Sequence, residues 1–140
     1  MKFKTLAANE KGILLLRISL SILFFWLGIL KFFPGISPAE DIAGRTFLAL
    51  SFGYLKPNVS LPLLALWECT IAVGFFTNKG MRWVMILFYL HMLGTFFPLF
   101  LFPQDTWQIV PFVPTLLGQY ILKNIVLVAA GYSIGAANKL

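Results

Sequence analysis

Long apolar stretches alternate with short polar ones along the chain. Four apolar runs cover about residues 13–33, 61–77, 81–102 and 116–136. Each approaches or exceeds the roughly 20 residues that an α-helix needs to cross a bilayer. The pattern predicts an all-α integral membrane protein, a bundle of four transmembrane helices that forms a single membrane domain over residues 1–140.

The connection between the first two spans is more polar and carries a helix-start signal. The segment fits a capping box, with Ser37 as N-cap, Pro38 at the first helical position and the Glu40 side chain reaching back to the N-cap. Apolar and polar positions then alternate with helical period. We therefore expect a short amphipathic helix over about residues 38–51, at the membrane interface or folded over the bundle.

Composition supports the membrane assignment and excludes other classes. The chain is 59% hydrophobic and only 11% charged, with a mean hydropathy of +0.87, whereas soluble domains carry about 25% charged residues. A disordered chain would be far more polar. The net charge of +6 does not indicate nucleic-acid binding, because loops on the cytoplasmic side of membrane proteins collect lysine and arginine.

The distribution of basic residues predicts the orientation. With four spans, both termini and the turn at residues 78–80 lie on one side of the membrane. The positive-inside rule then places the termini in the cytoplasm, and the long loops in the periplasm or outside the cell, for a protein of the cytoplasmic (inner) membrane. The basic residues on the predicted cytoplasmic side are Lys2, Lys4, Lys11, Arg17, Lys79, Arg82 and Lys139.

Ionisable residues within or at the edge of the spans are the candidates for chemistry. Lys31, Glu68, His91 and Lys123 occupy such positions, and charges at membrane depth normally face a bundle interior, a cavity or a partner charge. Counted from the predicted span ends, Glu68 and Lys123 both lie about 10 Å below the outer surface. We therefore expect an ion pair between these two residues.

Polar neighbours extend this prediction to a pocket in the outer half of the bundle. Gln119, Tyr120 and Asn124 share an arc of the fourth span with Lys123. Together with Lys31, Glu68 and His91, they are the predicted ligand-binding residues, with Glu68 and His91 as candidates for proton transfer. Each feature also has a structural explanation: the charge pair fixes helix register, Lys31 extends towards the headgroups, and His91 is a hydrogen-bonded interior residue.

Metal chemistry is not expected from this sequence. The chain has one histidine and one cysteine, Cys69. These are too few for a zinc site or for a haem held by two histidines, and a single cysteine cannot form a dithiol redox motif.

Three segments of the chain resemble the DoxX-like family of membrane proteins: FWLGILKFFPG at 25–35, LWE at 66–68 and GQYILKN at 118–124. The resemblance implies a four-helix membrane protein. It also implies a link to quinones, because some relatives are described as subunits of quinone-linked oxidoreductases such as thiosulfate:quinone oxidoreductase. Distant relatives that handle disulfides use paired cysteines, which this chain lacks.

Three functions stay open. The first is a quinone-interacting, non-autonomous subunit of a membrane oxidoreductase, with electrons supplied by a redox partner protein or a diffusing substrate. The second is a transport or binding module for a small anionic solute, since Lys31 and Lys123 outnumber Glu68 in the predicted pocket; such a module would be expected to form a homo-oligomer. The third is a membrane scaffold without catalytic activity.

Overall fold

The computed structural model describes residues 2–140, and the side chains of residues 9–140. Lys2 and Lys4, used above for the orientation, therefore have no described side chains. Four helical segments are long and apolar enough to cross a membrane: Asn9–Leu30, Pro57–Thr77, Met81–Leu101 and Leu116–Ala137. The elements are α1 (Lys2–Leu30), α2 (Glu40–Leu50), α3 (Pro57–Thr77), α4 (Met81–Phe96), α5 (Pro98–Leu101), α6 (Pro103–Thr106), β1 (Trp107–Ile109), β2 (Val113–Pro114), α7 (Leu116–Leu122) and α8 (Asn124–Ala137).

The closest helix pair in the bundle is α1 against α3. Ser21 Oγ donates a hydrogen bond to the carbonyl oxygen of Ala72 at 2.7 Å. Nearer the end of α1, Gly28 lies directly against α3, where an added Cβ would sit 2.9 Å from Glu68 Cβ and 3.3 Å from the Ala65 carbonyl oxygen. The absence of a side chain at Gly28 thus lets the two helices approach closely beside Glu68.

Large apolar side chains fill the interior between the spans. Phe75 and Phe88 are fully buried, with ring centroids 5.4 Å apart in an edge-to-face arrangement. Gly131 of α8 contacts the Phe88 ring so closely that a Cβ at this position would overlap it. Small residues therefore set the distance between α4 and α8, as they do between α1 and α3.

The amphipathic helix is present and packs on the bundle. Helix α2 buries Ile42, Gly44 and Thr46, and Gly44 lies against Pro57 at the start of α3. The expected capping box is wrong: α2 begins at Glu40, and no side chain caps it. The Glu40 carboxylate instead accepts a hydrogen bond from the backbone N–H of Gly35.

A charged contact fastens α2 to the loop after the third span. Arg45 donates to Asp105 at 2.8 Å, and its guanidinium also lies 3.0 Å from Asp41. The hydrogen bond to Asp105 raises the pKa of Arg45 above its ordinary value, so the residue stays cationic. The guanidinium is also 4.7 Å from the centroid of the Phe102 ring, a cation–π distance.

The third and fourth spans are both interrupted. The third breaks between α4 and α5, directly before Pro98, which lacks a backbone donor. The fourth breaks at Lys123, between α7 and α8. Residues 103–115, between the third and fourth spans, contain α6 and a two-stranded antiparallel hairpin. The hairpin is held against α6, because the backbone N–H of Thr115 donates to Thr106 at 2.9 Å.

Candidate functional site

Three buried ionisable side chains meet in the bundle interior, and Glu68 is the central one. Its Oε2 lies 2.8 Å from Lys31 Nζ, and its Oε1 lies 2.8 Å from His91 Nε2. Lys31, Glu68 and His91 are 8%, 5% and 8% exposed. The Lys31–Glu68–His91 cluster therefore connects the end of α1 with the middle regions of α3 and α4.

Lys31 reaches Glu68 because of how α1 ends. The helix stops at Leu30, and the Lys31 backbone N–H closes a turn onto the Gly28 carbonyl at 3.0 Å. From this turn the side chain folds back, and Nζ also donates to the Leu27 carbonyl at 3.1 Å. Since Gly28 brings α3 close at the same point, the lysine stem spans the remaining gap to the Glu68 carboxylate.

Aromatic rings enclose His91 on two sides. The Phe24 ring lies edge-on at 5.2 Å between centroids, and the Trp67 ring lies edge-on at 5.9 Å. Trp67 is itself oriented by a hydrogen bond from its Nε1 to the Leu87 carbonyl at 3.1 Å. Within residues 9–140, His91 Nδ1 has no hydrogen-bond partner.

A second polar contact lies one helical turn from His91. Asn124 Nδ2 donates to Thr95 Oγ1 at 3.2 Å, linking α8 to α4. Thr95 follows His91 by four positions, so the two side chains share a face of α4. Among the four predicted fourth-span residues, Asn124 is the one for which the described part of the chain shows a hydrogen bond to α4.

The predicted ion pair between Glu68 and Lys123 is wrong. Lys123 is exposed, and its Nζ lies 5.9 Å from the centroid of the Tyr120 ring. Gln119 is also exposed, and Tyr120 is 69% exposed. These three side chains therefore line the outer surface of the bundle and lie apart from the Lys31–Glu68–His91 cluster.

Two features of the structure help to explain this error. Helix α3 begins at Pro57, four residues before the predicted start at Leu61. Measured along the helix axis from the start of its own helix, Glu68 therefore lies about 6 Å deeper than Lys123, whose helix begins at Leu116. The break between α7 and α8 also falls at Lys123. Lys31 was missed as the partner because a lysine at the end of a span was expected to extend towards the headgroups.

The expected pocket in the outer half of the bundle does not surround the cluster. Among the described residues, two grooves with volumes of about 460 Å³ and 400 Å³ lie elsewhere. The first lies beside Gly12, Ser19 and Ser133, and the second beside Arg45 and Phe52. The cluster is closed by packing, and its lysine charge is matched by the Glu68 carboxylate.

The part of the chain that the structure describes contains no cluster of three or more histidine, cysteine, aspartate or glutamate side chains that could hold a metal ion. Cys69 is a free, half-buried thiol next to Glu68 in sequence. An added Cβ at Gly28 would sit 3.2 Å from its sulfur atom, so Cys69 belongs to the α1–α3 contact.

Comparison with known proteins identifies one family. The family model described as DoxX matches residues 12–101, which is more than half of the chain. The match contains Lys31, Glu68 and His91 and ends before the fourth span. No curated protein matches the chain, and no solved structure matches it.

Proposed function

The chain belongs to the DoxX family, and we propose that it is the quinone-interacting subunit of a membrane oxidoreductase complex. The observation that carries this proposal is the position of Glu68, whose two carboxylate oxygens each contact a buried proton-bearing group. In the proposal, the Lys31–Glu68–His91 cluster is the place where the chain binds the quinone headgroup and exchanges protons with it.

Charges within a membrane support a functional role. Ionisable side chains in spans are expensive to bury and generally mark ion, proton or ligand pathways. The Lys31–Glu68 contact lowers this cost by pairing opposite charges, and His91 adds a group that can pass a proton between its two ring nitrogens. Purely structural contacts between helices are usually made with small residues or neutral hydrogen bonds.

Two features around His91 support an aromatic headgroup as the proposed ligand. Nδ1 is a buried polar atom without a partner in residues 9–140, and such atoms are rare in folded proteins. Phe24 and Trp67 present ring edges to the imidazole, and Trp67 is only half-buried. A bound quinone would supply reversible two-electron, two-proton chemistry, while His91 and Glu68 would hold and transfer the protons.

The proposal also assigns the cellular setting. The complex lies in the cytoplasmic membrane, with both termini of this chain in the cytoplasm, as the basic residues favour. Electrons reach or leave the quinone through a redox partner protein. Because the cluster side chains are buried, the proposal requires side chains around the half-buried Trp67 to move when the headgroup enters from the lipid.

Quinone binding by purified protein in lipid nanodiscs tests the proposal. A short-chain benzoquinone is expected to quench tryptophan fluorescence saturably, because Trp67 lies against His91. Glu68→Gln and Lys31→Ala should weaken binding at least about tenfold, because either change removes a charged contact that holds the cluster in position for the headgroup. The matched control is Lys123→Ala, which removes an exposed lysine and should leave the affinity unchanged.

Two results would contradict the proposal. One is the lack of any saturable binding of a benzoquinone or a naphthoquinone to the folded protein. The other is binding that is equally strong in wild type, Glu68→Gln and Lys123→Ala, because the ligand would then lie away from the cluster.

A scaffold function is the second candidate, favoured by the closed packing of the cluster. Lys31, Glu68 and His91 join three helices, and neither of the two grooves described above borders them. A scaffold predicts that Glu68→Gln lowers stability without changing the affinity for any small molecule. The anionic-solute function rested on two lysines in one pocket, and the exposed position of Lys123 removes that argument.

A further inference from the structure

Arg17 is a cation within the first span that has no acidic partner. Its Nε donates a hydrogen bond to the carbonyl oxygen of Phe75 at 2.9 Å, and within residues 9–140 it forms no ion pair. Residues 1–8, whose side chains are not described, contain no aspartate or glutamate in their sequence. The charge of Arg17 is therefore not matched by a carboxylate side chain of this protein.

The acidic side chains of the chain lie elsewhere. Four of the five already have partners in the Lys31–Glu68–His91 cluster, in the contacts of Arg45 or at the Gly35 backbone. The fifth, Glu10, lies seven positions before Arg17, about 10 Å along the axis of α1. Since an unmatched charge within a span is costly, the position of Arg17 favours an anion that comes from outside the chain.

The contact with Phe75 places the guanidinium near one end of the bundle. Helix α3 ends at Thr77, two residues after Phe75 and about 3 Å farther along the axis, and α4 begins nearby at Met81. The Phe75 carbonyl belongs to the last turn of α3, where carbonyl groups lack a helical donor. Because two spans end at this level, Arg17 lies at the depth of the lipid headgroups rather than at the middle of the hydrocarbon.

The guanidinium keeps donors that the Phe75 contact does not use. Its further N–H groups form a planar fork, and within residues 9–140 the two Nη atoms make no hydrogen bond. They are not among the buried side-chain atoms that lack a partner there, so they remain accessible on the half-buried side chain. Such a fork matches two oxygens of one phosphate group.

The charges around this end of the bundle favour an anionic headgroup over a zwitterionic one. Lys79 lies in the turn that follows α3, and Arg82 lies in the first turn of α4; both are exposed. Basic side chains at the membrane surface attract anionic lipids. A phosphatidylcholine headgroup would bring its own cation to this basic end, whereas phosphatidylglycerol brings only negative charge.

We propose that Arg17 binds the phosphate group of an anionic phospholipid where α3 ends and α4 begins. Nε stays on the Phe75 carbonyl, the Nη groups donate to two phosphate oxygens, and the phosphate neutralises the guanidinium. The site needs no preformed cavity, because the headgroup layer surrounds the bundle at this depth. This lipid site is independent of the proposed quinone function, because it lies away from the Lys31–Glu68–His91 cluster.

Solid-state NMR in phosphatidylglycerol bilayers tests the contact between arginine and phosphate. The arginines of the chain are Arg17, Arg45 and Arg82, and in a phosphate-free buffer the phosphorus belongs to the lipid alone. With nitrogen-15 in arginine, we expect phosphorus to dephase an Nη signal that persists in Arg82→Gln and is lost in Arg17→Gln. Dephasing that is the same in Arg17→Gln and wild type overturns the proposal.

Native mass spectrometry of the detergent-purified protein measures the lipid preference. Wild type should bind its first phosphatidylglycerol at least about tenfold more tightly than phosphatidylcholine, and Arg17→Gln should lose this preference. Arg82→Gln is the matched control, since it removes an exposed charge from the same end and should change the affinity less than about threefold. Equal losses in both variants overturn the proposal, because binding would then follow the general surface charge.

Two further measurements separate the lipid site from a purely structural role of Arg17 and from binding of a soluble anion. Arg17→Lys keeps the charge and a donor for Phe75 but lacks the fork, so it should fold and bind phosphatidylglycerol more weakly than wild type; an unchanged affinity overturns the proposal. Soluble glycerophosphoglycerol at the lipid concentration should not displace phosphatidylglycerol. Displacement would mean that the site takes a free phosphate ester and would also overturn the proposal.

Discussion

Separate and joint removal of Lys31 and Glu68 gives a sharp test of the buried ion pair. Glu68→Met leaves an ammonium group buried without its partner, and Lys31→Met leaves a carboxylate that keeps only its contact with His91. Breaking one partner of a buried pair costs about 3–5 kcal/mol. Replacing both partners by apolar side chains of similar size is often close to neutral for the pair itself.

The expected magnitude follows from the contacts of Glu68. In Glu68→Met and in the double variant, His91 loses the same 2.8 Å contact, so this loss cancels in the double-mutant cycle. What remains is the 2.8 Å contact between Lys31 Nζ and Glu68 Oε2. We expect a coupling free energy of about 2–3 kcal/mol, with the double variant much more stable than the sum of the single effects predicts.

The free energy of unfolding can be measured by titration with a denaturing detergent in mixed micelles, followed by circular dichroism. Combining Glu68→Met with Lys123→Met provides the control, because Lys123 is exposed and makes no contact with Glu68. This control pair should be additive within about 0.5 kcal/mol. Additive effects for Lys31 and Glu68, or coupling between Glu68 and Lys123 instead, would refute the assigned pairing.

Three further substitutions test the packing. Gly28→Val should lower the free energy of unfolding by about 1–3 kcal/mol, because the valine side chain enters the contact with α3. Gly12→Val is the control, since Gly12 has open space around it, and it should leave the free energy of unfolding unchanged. Equal effects of the two substitutions would contradict the close approach of α1 to α3. Gly131→Ala should cost about 1–3 kcal/mol in the same titration through overlap with Phe88, and an unchanged midpoint would place α8 farther from α4. Arg45→Gln should cost less than about 1 kcal/mol, since its ion pairs are partly exposed, and a larger loss would mean that α2 holds the bundle together.

The transmembrane architecture could be predicted from the sequence because the bilayer restricts the choices. Backbone polar groups in lipid must be satisfied internally, so a long apolar run can hardly be anything but a helix. The position of Glu68 along its helix was harder to predict. Residues 57–60 are polar enough to resemble a loop, yet Pro57 starts α3, and proline in the first turn is a common helix-start signal.

The partner of Glu68 could not be predicted because apolar spans carry little rotational information. A helix that is apolar on every face does not reveal which face points inwards, so the fourth-span arc around Lys123 was assigned to the interior without a competing signal. The deciding feature was Gly28, which brings α1 against Glu68. A glycine one turn before a lysine at a span end is a signal that favours Lys31 as the partner.

The central claim is that Glu68 contacts His91 and Lys31 within the membrane, and a solid-state NMR distance measurement in lipid bilayers tests it most directly. With nitrogen-15 in the single histidine and carbon-13 in the glutamate side chains, we predict strong dephasing of the Nε2 signal by a carboxyl carbon, as the 2.8 Å contact requires. The same dephasing should be absent in Glu68→Gln. An Nε2 signal that no glutamate carbon dephases in the wild type, or dephasing that persists in Glu68→Gln, would contradict the account.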